Sequence, residues 1–508
     1  MPAHLGQEVI PADGEISPVA LLGRGAFYQL LARISMILSS YAVHLVLGRV
    51  LGPARYGTIG TLLSTLTILR TVVVNVTRQV VSKTIADASL PVDRIRRWSA
   101  GIQSVCTISI ALVYFLLAGQ FADLLRDPAL EFYFKMSAPF LPLVGWYAIQ
   151  LATLNGIGRF AEQGLTIIVY NTARLVFALG YVWIFSSIDH ETSAILGFMT
   201  APLVASVVAQ RLYTHHPPQQ EGRSDGHAMD GGKTTARFIF DVFFAALGTT
   251  LLLNSGQLIV KRFVSSPDQV GYYTAANAIG LMPYVLLLAF SDVIIPVVVR
   301  AQRSTGITGA GNIIIRTWQY MAWISCLILA LVSSTATSLV TWTYTPEYAP
   351  AASLVLMSCV AFALLAMFVM FSNAIAATYS SRFVLFASIG VTCGTILFGV
   401  WGAHLAGARG FLIAMIVSLV TVLAVYMVYL HNRGSSLDLS GLKWPIVGAV
   451  LVAAVAVLIR PERGMLVLAY LVLSTAYMAM LWGLGTINRQ EKQAVISFAR
   501  RILHKVGP

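Results

Sequence analysis

Charge is scarce in this sequence. Only 11% of its 508 residues are Asp, Glu, Lys or Arg, whereas a soluble domain carries about 25% to solvate its surface. That scarcity excludes a water-soluble globule of this size, and 57% hydrophobic content with a mean hydropathy of +0.76 points to lipid as the solvent. Cysteine is scarce too. Cys106, Cys326, Cys359 and Cys393 lie in apolar runs without CxxC or Cys/His spacing, so buried, unreactive thiols are expected and disulfides or metal ligands are not. No run alternates apolar and polar residues for long, which argues against a transmembrane β-barrel. No P-loop occurs, so ATP hydrolysis is not expected, and neither a cofactor nor a metal is called for. The Gly-rich Gly306–Gly311 lies between two helical runs and reads as a connector. Met1–Arg24 lacks a compact apolar core followed by a small-residue cleavage site, so the first span itself is expected to direct insertion.

What the chain does have is apolar runs of about 20 residues, each long enough to cross ~30 Å of hydrocarbon. They are Phe27–Gly48, Tyr56–Ser82, Trp98–Gly119, Leu130–Asn155, Gly164–Ser187 and Thr192–Tyr213. After a polar gap come Phe238–Val260, Gly271–Val299, Ile313–Leu339, Ala351–Ser372, Phe383–Trp401 and Gly410–Leu430. Trp444–Ile459 and Met465–Leu484 are shorter. The expectation is an all-α integral membrane protein of about 14 transmembrane helices. Its parts are a cytoplasmic N-terminal tail (1–26), a six-helix bundle (27–213), a cytoplasmic linker (214–237), a second six-helix bundle (238–430), two additional helices (444–484) and a basic tail (488–508). In that tail Val495, Ile496, Phe498, Ile502 and Leu503 alternate with Arg489, Lys492, Arg500, Arg501 and Lys505, a pattern suited to a helix lying on an anionic leaflet.

A net charge of +13 could suggest nucleic acid, but the basic residues are dispersed among short loops, where they set topology. With the N-terminus inside, inner loops and tails hold about 21 Lys and Arg and outer loops about 8. Both termini are therefore expected in the cytoplasm.

The two bundles echo each other. Gly48-Arg49-Val50-Leu51-Gly52-Pro53-Ala54-Arg55-Tyr56-Gly57 closes the first span, and Lys261-Arg262 through Pro267 to Gly271-Tyr272 closes the seventh. Each has a basic residue, a Pro-containing turn and a Gly opening the next span, and Phe27 to Arg49 and Phe240 to Arg262 are both 22 residues apart. An even number of spans per half gives a parallel pseudo-repeat, related by an axis along the membrane normal, with a substrate path at the interface of the repeats.

Charges inside spans are costly and mark functional candidates. Arg33, Arg70, Arg78, Lys135 and Arg174 are such residues, all in the first half. Arg70 and Arg174 lie near mid-membrane. Arg33, Arg78 and Lys135 are within snorkelling reach of an interface, so a structural role stays open for them. Polar neighbours outline a lumen: Ser40 and His44 on the first span, Asn75 on the second, Asn171 on the fifth, Asn254 and Gln257 on the seventh and Asn277 on the eighth. Asp241 and Asp292 are the candidate counter-ion or coupling carboxylates. A cationic cavity of this kind lowers the energy of an anion, phosphate above all.

The segment Phe27–Gly57, with Arg49, Leu51, Gly52, Tyr56 and Gly57 in an "R-x-LG-x-x-x-YG" pattern, resembles the polysaccharide-transporter (oligosaccharide flippase) branch of the multidrug/oligosaccharidyl-lipid/polysaccharide exporter superfamily. The resemblance covers nearly the whole chain, because the second-half echo, the spans and the linker agree with it. It implies a pair of six-helix bundles working by alternating access in the bacterial inner membrane. The cargo would be an undecaprenyl-diphosphate-linked oligosaccharide destined for exopolysaccharide, O-antigen or capsule, moved from inner to outer leaflet. Candidate partners are the bilayer, the lipid-linked substrate, and the polysaccharide polymerase with its chain-length and export machinery. A lipid-II flippase and a cation-coupled drug exporter of the same superfamily are alternatives. A membrane polymerase or glycosyltransferase is the alternative of another class, but Asp123, Asp127, Asp189 and Glu191 sit in outer loops too short for a catalytic domain, so an enzyme is not expected.

Overall fold

The computed structural model describes residues 18–86, 91–184, 189–215, 232–436, 440–461 and 464–484. Every regular element among them is helical: α1 (Pro18–Ala86), α2 (Val92–Leu116), α3 (Ala118–Leu124), α4 (Ala129–Ser137), α5 (Phe140–Gly156), α6 (Phe160–Ile184), α7 (His190–His215), α8 (Gly232–Phe263), α9 (Pro267–Thr343), a 3-10 turn (Pro346–Ala351), α10 (Ala352–Thr378), α11 (Ser381–His431), a short 3-10 turn (Ser440–Leu442), α12 (Lys443–Ile459) and α13 (Met465–Gly483). In hydrocarbon a backbone must satisfy its own N–H and C=O groups, and helices do this within one segment. Eight helical stretches among the described residues are long and apolar enough to cross a bilayer, and Lys443–Ile459 is a shorter apolar helix.

Three helices are far longer than one crossing requires: α1 has 69 residues, α9 has 77 and α11 has 51. Each is kinked at a glycine in a positive-φ conformation that other residues rarely adopt. These are Gly52 (φ 71°), Gly306 (φ 75°) and Gly407 (φ 58°). Each long helix thus holds two of the expected spans, and Gly306 makes the Gly-rich connector a helix kink rather than an open loop. The expected fourth span, Leu130–Asn155, is interrupted: α4 ends at Ser137 and α5 starts at Phe140. Pro139, which has no N–H to donate, lies at that break. α8 begins at Gly232, inside the segment expected to be linker. Residues 216–231, the first 17 and the basic tail lie outside the described residues.

The helices cluster into two units. The first contains residues up to Val43, Val72–Ala118 and Phe132–Ile239; the second contains His44–Thr71, Gly119–Glu131 and Phe240 onward. In the first unit Val81 and Ile85 of α1, Ile95 of α2, and Ile149 and Ala152 of α5 form a buried cluster. Opposite such buried faces lie outward apolar ones: Ile102, Val105, Ile108, Leu112 and Leu116 of α2 are all exposed. Cys106 and Cys393 share this outward setting, while Cys359 is buried and Cys326 half-buried. The expectation that all four thiols are buried is corrected for these two. Lipid is as apolar as a protein interior, so an apolar run does not tell inside from outside.

Residues 44–71 of α1 belong to the second unit, and the turn motif supplies the contacts. Arg49 donates from Nε to the Thr343 carbonyl (2.8 Å) and from Nη2 to the Trp342 carbonyl (2.5 Å), capping the end of α9 where unpaired carbonyls and the helix dipole favour a cation. Tyr348 donates to the Gly48 carbonyl at 2.7 Å. Tyr56, fully buried, bonds His44 Nδ1 at 2.9 Å and lies against Tyr344 and Tyr348. The two turn motifs meet directly: a Cβ on Gly57 would lie 2.7 Å from the Gly271 nitrogen, and one on Gly271 would overlap the Pro53 carbonyl. Beside them Lys261 Nζ pairs with Asp127 at 2.6 Å, with the two side chains 7% and 18% exposed.

The last two helices dock within the same unit. Val452 and Ala456 of α12 and Leu473, Tyr477 and Leu481 of α13 pack on Trp323, Ala330 and Leu331 of α9. Tyr477 donates to the Trp323 carbonyl (3.0 Å), and Trp323 Nε1 donates to the Gly441 carbonyl (3.1 Å).

Two stability predictions follow from the junction. Gly271→Ala sets backbone against backbone, which no rotamer relieves, and should cost about 1–3 kcal/mol. Gly101→Ala, where an added Cβ meets nothing within 4 Å, should be neutral or stabilising by up to about 1 kcal/mol. Equal melting temperatures for the two variants in detergent would refute the crossing. Asp127→Asn strands buried Lys261 and should cost about 3–5 kcal/mol, whereas Asp127→Asn with Lys261→Met should recover most of that loss. Thermal unfolding of the single and double variants checks it.

Candidate functional site

In the first unit, polar residues of α1 and α6 meet along one seam. Gln29 donates from Nε2 to the Phe160 carbonyl (3.0 Å) and to Gln163 Oε1 (2.8 Å). Close approach is possible there because Gly164 lies where a Cβ would come within 2.8 Å of the Tyr28 backbone. Two helical turns further, Asn171 donates to Ser35 Oγ at 3.2 Å, and Ser39 donates to the Asn171 carbonyl at 2.7 Å. Arg174 Nη2 then donates to Ser40 Oγ (2.7 Å) and Ser39 Oγ (3.3 Å). The spacing explains the match: Ser35 and Ser39 on α1, and Asn171 and Arg174 on α6, lie four and three residues apart, so each pair shares a helix face.

Arg174 is half-buried, and α6 extends 14 residues before it and 10 after it. At 1.5 Å per residue its Cα is therefore about 15 Å from the nearer helix end, close to the bilayer midplane. The two serine hydroxyls accept its hydrogen bonds and so fix the direction of its guanidinium. A guanidinium held this way presents a fixed positive charge in a low-dielectric setting, where it favours an anion far more than it would in water.

Of the residues singled out in the sequence, Arg174, Ser40 and Asn171 are brought together. Arg33 and Arg78 are exposed on α1, and Lys135 on α4 is half-buried with its ammonium 5.9 Å from the Phe115 ring. Arg70 is half-buried on the part of α1 that belongs to the second unit. His44 is engaged with Tyr56 at the junction of the turn motifs. Gln257, 1% exposed, donates to Thr274 Oγ1 at 2.9 Å and approaches Thr61 and the Gly57 carbonyl, so it ties helices at a crossing instead of lining a lumen. Asn254 bonds the Thr250 carbonyl of its own helix. Asn277 is half-buried on α9, with its side-chain oxygen buried. The side chains of Asn75, Asp241 and Asp292 lie outside the described residues.

Gln29, Ser35, Ser39 and Gln163 were missed by the sequence reading. Their signal was present, since polar residues inside an apolar span are themselves a contact signature. Ser40, which the sequence marks on the first span, lies one residue from Ser39, about 100° around the helix.

Residues 22–302, more than half of the chain, match the family model described as polysaccharide biosynthesis protein. No curated protein matches the chain in sequence. Among solved structures, the lipid II flippase MurJ in an inward closed conformation superposes with a TM-score of 0.68 at 11% identity, covering 90% of this chain and 99% of that one. An inward-facing multidrug resistance MATE family transporter of the MOP superfamily gives 0.59 at 14% identity, covering 80% and 98%. An outward-facing structure of such a transporter gives 0.54 at 14%, covering 82% and 96%. At these identities the likeness concerns the fold alone. The chain belongs to the polysaccharide biosynthesis protein family.

Proposed function

We propose that this protein is a flippase that moves an undecaprenyl-diphosphate-linked oligosaccharide from the inner to the outer leaflet of the bacterial cytoplasmic membrane. Transport proceeds by alternating access, and the protein does no bond chemistry on its cargo. The observation that carries this reading is Arg174, a mid-membrane guanidinium aimed by Ser39 and Ser40, in a chain of the polysaccharide biosynthesis family. A diphosphate leaving the headgroup region loses its hydration, and a planar guanidinium replaces it with two parallel hydrogen bonds. In this reading Arg174 and Arg70 meet the diphosphate at mid-membrane, and Arg33 and Arg78 recruit it from the inner side. Asp292 and Asp241 serve as counter-ions or coupling groups. Both termini face the cytoplasm, and a polymerase with its chain-length and export machinery takes the cargo on the outer side.

A second reading, multidrug export, has the fold of the MATE transporters behind it. It would draw on membrane carboxylates for cation coupling, whereas the seam presents a cation.

The test uses proteoliposomes with a fluorescent undecaprenyl-diphosphate oligosaccharide on one leaflet. Wild type should transfer it to the other leaflet at unchanged mass. Arg174→Ala and Arg70→Ala should slow transfer at least about tenfold, the loss of one charge-assisted hydrogen bond, while the variants insert and melt like wild type. Wild-type rates in both variants would discard the assignment, and lengthened product would replace transport by polymerisation.

A further inference from the structure

A second cationic feature lies away from the α1/α6 seam, in a cleft of about 340 Å³ lined by Asp93, Arg96, Arg97 and Ala100 of α2 and Trp146, Ile149 and Gln150 of α5. We propose that it seats the phosphate of an anionic membrane phospholipid, separately from the transported cargo. Arg96 is pre-organised. It donates to Gln150 Oε1 at 3.2 Å and to Gln210 Oε1, and its guanidinium carbon stands 4.4 Å over the Tyr213 ring. Gln150, 2% exposed, donates in turn to Gln210 at 3.2 Å. Topology alone needs a Lys or Arg near the membrane, not one fixed by two glutamines and a tyrosine.

Arg97 is exposed and, among the described residues, its hydrogen bond is to the Asp93 carbonyl of its own helix, at 3.3 Å. It can therefore turn to an incoming oxygen. Asp93, the one acid among the described lining residues, accepts from Tyr213 at 2.6 Å, and among those residues two guanidiniums face one carboxylate. The floor is apolar, with Trp146 40% exposed. Trp146 is itself part of the lining. Trp at such a position marks the interface level, with acyl chains beyond it. A headgroup in the cleft would thus leave its tails beside Trp146, and a basic pocket between helices on the side expected to be cytoplasmic is a recurring headgroup site. The volume holds a phosphate and glycerol, not an oligosaccharide.

Native mass spectrometry of the full chain in detergent tests this with phosphatidylglycerol, phosphatidylcholine, inorganic phosphate and undecaprenyl diphosphate as probes. Phosphatidylglycerol should be retained over phosphatidylcholine. Arg97→Gln should weaken that retention about tenfold, one charge-assisted hydrogen bond, and Trp146→Ala should weaken it as well. Arg94→Gln, exposed on α2 outside the cleft, should not. Arg174→Ala should keep full phosphatidylglycerol binding, which separates this site from the proposed translocation path. Retention unchanged in Arg97→Gln and Trp146→Ala, or equal for the two phospholipids, overturns the proposal. Displacement by inorganic phosphate as readily as by lipid makes it a free-anion site. Preference of the cleft for undecaprenyl diphosphate makes it part of the cargo route. Either result overturns the phospholipid assignment.

Discussion

The junction of the two turn motifs depends on how closely two backbones can approach. Gly57 and Gly271 remove the side chains that would hold the two turns apart, and their helices meet through main-chain atoms. Around that contact the other motif residues find partners. Arg49 caps α9, Tyr348 donates to the Gly48 carbonyl, and Tyr56 fills the space beside His44 and Tyr344. Without the approach none of these side chains would reach. Packing and interhelical hydrogen bonds bring helices together in lipid, where hydrophobic burial gives little, so small residues and buried polar groups carry the assembly. The same logic holds for Gly164 against Tyr28 on the α1/α6 seam and for Gln257 at the crossing with Thr274.

Buried polar groups here divide by what they hold. Gln257, Tyr477 and Lys261 bind helix to helix, and their partners are backbone carbonyls, hydroxyls or one carboxylate. Arg174 donates to the Ser39 and Ser40 hydroxyls from within a span, where a charge is expensive and marks a functional candidate. A cation kept in that position is suited to an anion that must pass, which is the basis of the proposed diphosphate contact. Arg96 represents a third case, a fixed charge at the membrane edge with room beside it. One residue type thus serves capping, mid-membrane positioning and a headgroup-sized cleft, and only its partners distinguish the three.

Composition and run length by themselves determined that this is an all-helical membrane protein, because hydrocarbon admits few backbone structures and each needs a recognisable length of apolar sequence. The turn motif, and with it the family, was legible for a related reason: kinks such as Gly52 demand a residue that no other side chain replaces. Mid-membrane Arg174 and its neighbours Ser40 and Asn171 were legible as polar interruptions of apolar runs. Tertiary structure alone decided which of those interruptions are glue. Gln257 and His44 looked like lumen residues, yet one ties a crossing and the other bonds Tyr56. It also decided which apolar faces turn outward, leaving Cys106 and Cys393 exposed. It placed residues 44–71 with the second unit, since their partners lie more than 200 residues away in sequence. Periodicity records the face of a helix, but in lipid both faces are apolar, and what a face meets is settled by packing.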